Sequence, residues 1–371
     1  MRRGPFHTPL CDLLGIRHPI LLAGMAGGYT TPELVAGVSR AGGLGTFGAT
    51  GMTAAALAEA VERARALTDA PIAVNVLLAP PAPPDPPDAA QRVQDHLGGF
   101  REELGIPHPP PRPPGAGPSA PAELVAAALE AGAGVVSVGL GDPAPLVPLA
   151  RAAGAPVLAM VTTVAEARRA VASGADAIVA QGGEAGGHRS TFELPADGSL
   201  PMVGTVALVP QVARAVPVPV VAAGGLMDGG GLVAALALGA CGVQLGTRFL
   251  LAADSGATAS YRGRLRAAGD TDTVVTTALS GRPARAIRSR LLDGLERGGP
   301  GPLGWPRQAA ATADVRAAAD RLGRPELAAY LAGQAAGLGS DEELHAEQVV
   351  ERIVAEALAT VERLSAALGA G

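Results

Sequence analysis

The chain has 371 residues, of which 48% are apolar but only 2% aromatic, so closely packed small side chains must fill its core, and the length suits one large α/β core with decorations. A net charge of −5 without any basic run argues against a nucleic-acid partner, which would need clustered cations, and makes a small molecule the default ligand. All 29 Lys-plus-Arg positions are arginine, and the lack of an amine excludes Schiff-base aldolases, pyridoxal-phosphate enzymes and Walker-type phosphate loops.

In chain order, the opening stretch MRRGPFHTPLCDLLGIRHPILLAGMAGG superficially resembles a signal peptide, but Asp12, Arg17 and His18 interrupt its apolar region and it reads as mature protein. Short apolar runs of strand type then follow at 20–23, 43–47, 72–78, 135–139, 156–160, 175–180, 218–223 and 241–245. Alanine-rich helical segments separate them at 32–41, 53–66, 122–131, 143–153, 164–173, 206–215 and 230–238. Pro32 directly after Thr31 suits a first helical position, and the repeated endings AGG, AGA, AAGA, SGA and LGA supply a glycine to stop each helix. Eight strands alternating with helices predict a (β/α)8 TIM barrel. The tract 232–253 approaches membrane-spanning length, yet Gly239, Gly242, Gln244, Gly246, Thr247 and Arg248 interrupt it, so no membrane partner is expected. Cys11 and Cys241 are isolated, which gives neither metal spacing nor a disulfide framework and fits a reducing cytoplasm.

Two regions leave the rhythm. The proline-rich insertion 80–121, with a helix at 89–104 inside it, follows the third strand and is placed to overhang the barrel mouth. From residue 271 the chain carries SGRPARAIRSRLL, a proline and glycine stretch around Trp305, and a closing helix at 341–368. The expected organisation is a barrel over 1–270, insertion included, and a helical C-terminal extension over 271–371 that completes the cover of the site.

The active site of such a barrel lies at the C-terminal ends of its strands, with phosphate commonly held after the seventh and eighth. Here those loops read VVAAGGLMDGGG and VQLGTRFL, where Ala223-Gly224-Gly225 and Gly246-Thr247 offer unobstructed amides and a hydroxyl. The same glycines would equally permit tight turns; their presence at both expected positions favours phosphate. Asn75, Gln181 and Gln244 place carboxamides at strand ends, suited either to satisfying neighbouring loops or to a heterocycle with donors and acceptors. Among six histidines only His188 lies in a glycine-lined loop after a barrel strand, QGGEAGGHRST, where it suits a general base or a hydrogen-bond donor. For its neighbours Glu184 and Arg189 a fold-stabilising ion pair is the expectation. No metal site is expected.

The motifs ILLAGMAGG, VNVLL, TTVAEARRAVASGADAIVAQGGEAGGHRSTF, PVVAAGGLMDGGG, ALGACGVQLGTRFL and SGRPARAIRSR, in this order and extended by LAGQAAGL, together resemble the nitronate monooxygenases, formerly called 2-nitropropane dioxygenases, most of all their class I branch. The resemblance implies a barrel holding non-covalent FMN. Carried over by motif, Ala23, Gly24 and Met25 line the flavin, Asn75 and Gln181 contact its rings, and Gly186 with Gly187 approaches it. Gly224, Gly225, Gln244, Leu245, Gly246 and Thr247 would hold the ribityl phosphate. His188 matches the catalytic histidine, which either abstracts a carbon proton from a neutral nitroalkane or positions the oxygens of a nitronate. The implied reaction oxidises an alkyl nitronate, such as propionate 3-nitronate, with O2 to a carbonyl compound and nitrite, and the implied partners leave room for a homodimer. Relatives often place tyrosines and a lysine near the flavin where this chain has Trp305 and no lysine, and VVSVGLGDP carries small residues where they have a histidine or an aromatic. An NAD(P)H-dependent quinone or enoyl-thioester reductase with FMN, sharing the EAGGH loop, is the alternative, and a non-catalytic barrel binding a phosphorylated ligand is a third reading.

Overall fold

The computed structural model describes residues 4–80, 82–108, 118–195, 199–339 and 342–369; part of the proline-rich insertion (81 and 109–117) and the expected first residue of the closing helix, Asp341, lie outside them. Its strands are β1 (Ile20–Leu22), β2 (Gly45–Gly48), β3 (Ile72–Leu77), β4 (Val135–Gly139), β5 (Val157–Val161), β6 (Ala177–Gln181), β7 (Gly187–His188), β8 (Val220–Ala223), β9 (Gly242–Leu245), β10 (Thr273–Thr276) and β11 (Ala284–Ile287). Eight of them form one parallel sheet in the order β1-β9-β8-β6-β5-β4-β3-β2. A bridge between Leu21 and Leu44, with Leu22 N–H donating to Leu44 O at 2.9 Å and Leu44 N–H to Ile20 O at 3.0 Å, draws β1 to β2 and rounds the sheet into the expected TIM barrel.

Local chemistry explains the outer helices. Thr31, Thr53 and Thr163 each accept a hydrogen bond from the backbone N–H three residues on, starting the helices Pro32–Arg40, Ala54–Leu67 and Val164–Ala172. The glycines of the repeated helix endings, such as Gly42 (φ 93°) and Gly174 (φ 101°), take up the left-handed conformation that turns the chain toward the next strand. Inside the barrel small side chains such as Ala73, Val135, Ala177, Val179 and Val221 pack with Leu21, Leu44 and Leu158, and the short helix Pro9–Leu14 stoppers its base with Leu10, Cys11 and Leu14.

The closing helix, Ala346–Ala367, packs against Gly229–Ala237, which follows β8, and against Pro32–Arg40, which follows β1. It therefore fills the eighth outer position of the barrel. The approach is close: a Cβ on Gly229 would lie 2.1 Å from Ala357 N, and one on Gly37 2.8 Å from Ala346 Cβ. The segment between β9 and this helix leaves and returns at adjacent points, since Ala253 N–H donates to Leu344 O at 2.9 Å.

That segment builds its own apolar cluster with the insertion helix Ala89–Leu104. Their anchor is Arg101, fully buried, whose Nε donates to Asp314 Oδ2 at 2.7 Å while its Nη groups reach Gln94 O at 3.1 Å and Gln94 Oε1 at 2.7 Å. Removing one partner of a buried ion pair leaves the other uncompensated, so Arg101→Ala is expected to cost about 3 kcal/mol. Chemical denaturation at neutral pH measures this; a loss below about 1 kcal/mol would mean that Arg101 does not anchor the insertion.

Candidate active site

The ends of the strands place the three carboxamides in different situations. Asn75 pairs in register with Gly48 and Ser137, and its Nδ2 donates to Ser137 Oγ at 2.9 Å. The chain after β1 lies directly on it, because a Cβ on Gly24 would fall 2.4 Å from Asn75 Cβ. Gln181 gives its carboxamide to the loop that follows it: Nε2 donates to His188 O at 2.9 Å and Oε1 accepts from Ser190 N–H at 2.8 Å. Gln244, joined to Gln181 through the register Gln181–Ala223–Gln244, has among the described residues only a weak side-chain contact, from Nε2 to Met160 Sδ at 3.9 Å. Its carboxamide is the least committed of the three. Ala23 N–H donates to Leu245 O at 2.9 Å, and a Cβ on Gly246 would meet Ala23 Cβ at 3.5 Å and Met25 Sδ at 3.6 Å, so these four predicted residues adjoin one another.

The loop 182–191 is tied down by arginines acting on carbonyls. Arg189, buried, donates to Gln181 O and to Pro201 O (2.8 Å), and burial lowers its pKa to about 10, which keeps it charged at neutral pH. Arg285 grips Gly183 O at 2.8 and 3.1 Å, and Arg282 donates to Thr191 O at 2.8 Å. Glu184 accepts from Thr205 N–H and Oγ1–H, both at 2.9 Å. Neither Glu184 nor Arg189 is in an ion pair among the described residues, which corrects the expectation above: each holds the fold through neutral partners instead.

His188 lies in β7, a two-residue strand that pairs with β11, so that Ala284 faces His188 and Arg285 faces Gly187. Its Nε2 is 2.8 Å from Ser280 Oγ, and its ring meets Trp305 edge to face at 4.8 Å between centroids and 78° between planes. Burial, helped by the cations of Arg282 and Arg316, lowers its pKa from 6.5 to about 4, so the imidazole is neutral at physiological pH.

The predicted glycines serve two purposes. Gly224 (φ 110°) and Gly225 (φ 69°) adopt a left-handed turn beside a cavity of about 270 Å³, lined by Glu184, Thr205, Gln334 and these glycines on one side and by apolar residues including Val206, Ala235 and Leu238 on the other. Gly186, by contrast, is approached by protein: a Cβ there would lie 2.5 Å from Ala332 C and Gly333 N. The same crossing segment is fixed by Gly333 N–H donating to Thr247 Oγ1 at 3.0 Å and Gln334 N–H to Glu184 O at 2.8 Å.

The profile of the family described as nitronate monooxygenase matches residues 7–356. The chain belongs to the nitronate monooxygenase family. A probable nitronate monooxygenase of Staphylococcus saprophyticus is 35% identical over 94% of this chain and 97% of its own length. A nitroalkane oxidase structure from Streptomyces ansochromogenes superposes with a TM-score of 0.84 at 36% identity, covering 96% of this chain and 99% of that one. The structure of FabK from Thermotoga maritima gives 0.76 at 34% identity, covering 97% and 99%. The family thus supports an oxidoreductase acting on nitronates.

Ser280, Arg282 and Arg316 were not singled out from the sequence, although the family's SGRPARAIRSR motif spans the first two. The depressed His188 pKa has a stability consequence. The unfolded chain takes up a proton near pH 6.5 that the folded chain refuses until about pH 4, so stability contributed by the neutral ring is complete above 6.5 and is lost as pH falls to 4. The loss is at most about 3 kcal/mol. Chemical denaturation of the wild type and His188→Asn between pH 7 and pH 4 should show the variant losing less stability on acidification; parallel curves would refute the assigned titration.

Proposed function

We propose that the protein is an FMN-dependent enzyme that oxidises alkyl nitronates with O2 to a carbonyl compound and nitrite. The observation that carries this reading is His188 at the barrel mouth, within hydrogen-bond distance of Ser280, edge to face with Trp305, and with the arginine cations of Arg282 and Arg316 acting on it. Positive potential in a partly enclosed site favours an anionic substrate, and a nitronate is one.

The residues present fit FMN. Gln244 has a carboxamide to offer a heterocycle, and the left-handed Gly224-Gly225 turn, with no Cβ to intrude, opens onto a cavity beside Thr205. Glu184 lines that cavity too, but its carboxylate oxygens are engaged by Thr205, which tempers its repulsion of a phosphate. In this reading Ala23, Gly24, Met25 and Asn75 line the flavin, and Gly224, Gly225, Gln244, Leu245, Gly246 and Thr247 hold its ribityl phosphate. Gln181, Gly186 and Gly187 act through the shape of the loop, with Gln181 holding the His188 carbonyl. Bound there, FMN would supply the electron transfer between the nitronate and O2. The protein's own part is to bind and orient the anion, to exclude water under the segment that carries β10, β11 and Trp305, and to offer His188 to a substrate proton.

FMN-loaded protein should consume O2 with propionate 3-nitronate and without NAD(P)H, followed with an oxygen electrode. Rapid anaerobic bleaching by NADH with no oxygen uptake on nitronate would assign it instead to the reductases, and a protein that stays colourless after addition of FMN would overturn both. His188→Asn should retain FMN while slowing turnover of a neutral nitroalkane on the order of 100-fold or more. Unchanged kinetics in that variant would remove His188 from the chemistry.

A further inference from the structure

The Ser280 hydroxyl has three neighbours. Its Oγ lies 2.8 Å from His188 Nε2, 3.1 Å from Arg282 O and 3.4 Å from Arg282 N, all enclosed in the segment between β10 and β11, where Ser280 is 5% exposed and Arg282 4%. A hydroxyl has one proton to give. Among the described residues this hydroxyl is the only hydrogen-bond donor to the Arg282 carbonyl, and a carbonyl cannot donate in return. Turning the proton toward His188 would therefore orphan a buried acceptor, whereas turning it toward Arg282 O satisfies every group, provided that His188 Nε2 carries a hydrogen and donates it to Ser280 Oγ.

We propose that Ser280 is the positioning residue that fixes His188 in its Nε2–H form and leaves Nδ1 as the proton-accepting atom. No hydrogen-bond partner of Nδ1 is found among the described residues, and Nδ1 is not one of the enclosed orphan atoms, as the Nδ1 atoms of His7 and His18 are. The ring cannot exchange its nitrogens freely: Trp305 closes one side of it, Gln181 holds the His188 carbonyl, and β11 holds its strand. The neutral ring that burial favours is the form in which a tautomer has meaning.

The inference rests on the nitronate reading for its chemistry, and it chooses between the two roles open to the histidine. A lone pair at Nδ1 repels nitronate oxygens and cannot hold them. It can take a proton from the carbon next to a nitro group: the C–H bond breaks, the N–H bond forms, the electron pair passes into the nitro group as the nitronate, and His188 becomes a cation beside its product anion. What Ser280 adds is the choice of nitrogen: in the nitronate reading a carbon proton would go to Nδ1, and a nitronate supplied ready-made has no such proton to give.

The test reads the tautomer directly and without turnover. Long-range ¹H–¹⁵N correlation spectra of the FMN-loaded, ¹⁵N-histidine-labelled protein at pH 7, with His188 assigned by its disappearance in His188→Asn, should show the Nε2–H form. An Nδ1–H form in the wild type overturns the proposal. Ser280→Ala should shift the His188 signals toward the Nδ1–H form and lower kcat/KM for a nitroalkane on the order of tenfold to a hundredfold, with less than about twofold change for the corresponding nitronate; Ser280→Thr, which keeps the hydroxyl, should restore both. An unshifted tautomer in a folded Ser280→Ala protein refutes the role of Ser280, and if that variant does not fold, the wild-type spectrum decides alone. A protein that shows the Nε2–H form yet is inert toward nitronates would sink the functional reading and not the tautomer.

Discussion

The pairing of Gly187 and His188 with Ala284 and Arg285 is the contact on which the rest of the site depends. A two-residue strand has little stability of its own. It persists because both of its sides are held: on the barrel side by Gln181 and Arg189, and on the cover side by Arg285, Ser280 and the donation from Arg189 N–H to Pro283 O at 2.8 Å. Barrel and cover therefore meet at one histidine, and its ring orientation belongs to neither part alone.

The all-arginine composition gains a positive meaning in this setting. Gln181 O, Gly183 O, Thr191 O and Pro201 O all point into enclosed space, and a guanidinium can meet two such acceptors with a planar fork while keeping its charge. An ammonium in the same position is compact, strongly hydrated and more readily deprotonated when buried. The cost appears in the burial-lowered pKa values of Arg189, Arg282 and Arg285. Arg282, together with Arg316, also sets positive charge beside His188.

The barrel was legible in the sequence because its strands are apolar runs separated by helix signals, and β4 coincides with the expected 135–139. The second sheet was not, since β7 has no periodicity and its partner lies far along the chain. Carboxamides at strand ends were visible, but their partners were not. Whether Gln181 faced a ligand or its own loop depended on where His188 O and Ser190 N would come to lie. For Glu184 and Arg189 a fold-stabilising ion pair was expected, whereas the folded loop sends one to the start of the helix Thr205–Ala215 and the other to carbonyls of neighbouring turns. The closing helix was expected as part of an outer wrap, and its place in the ring of barrel helices emerges only from packing on both Gly229–Ala237 and Pro32–Arg40.

That placement changes what kind of object the cover is. Because the chain departs after Ala253 and rejoins at Leu344, with a backbone hydrogen bond between those two residues, the intervening stretch is an excursion from the barrel rather than its tail. Shortening the protein from its C-terminus would remove a wall of the barrel before it uncovered the site. Exchange of the excursion between relatives, cut at these two neighbouring points, would leave the wall intact. Substrate preference can then diverge by replacing a cassette with fixed ends, while the barrel beneath it stays constant.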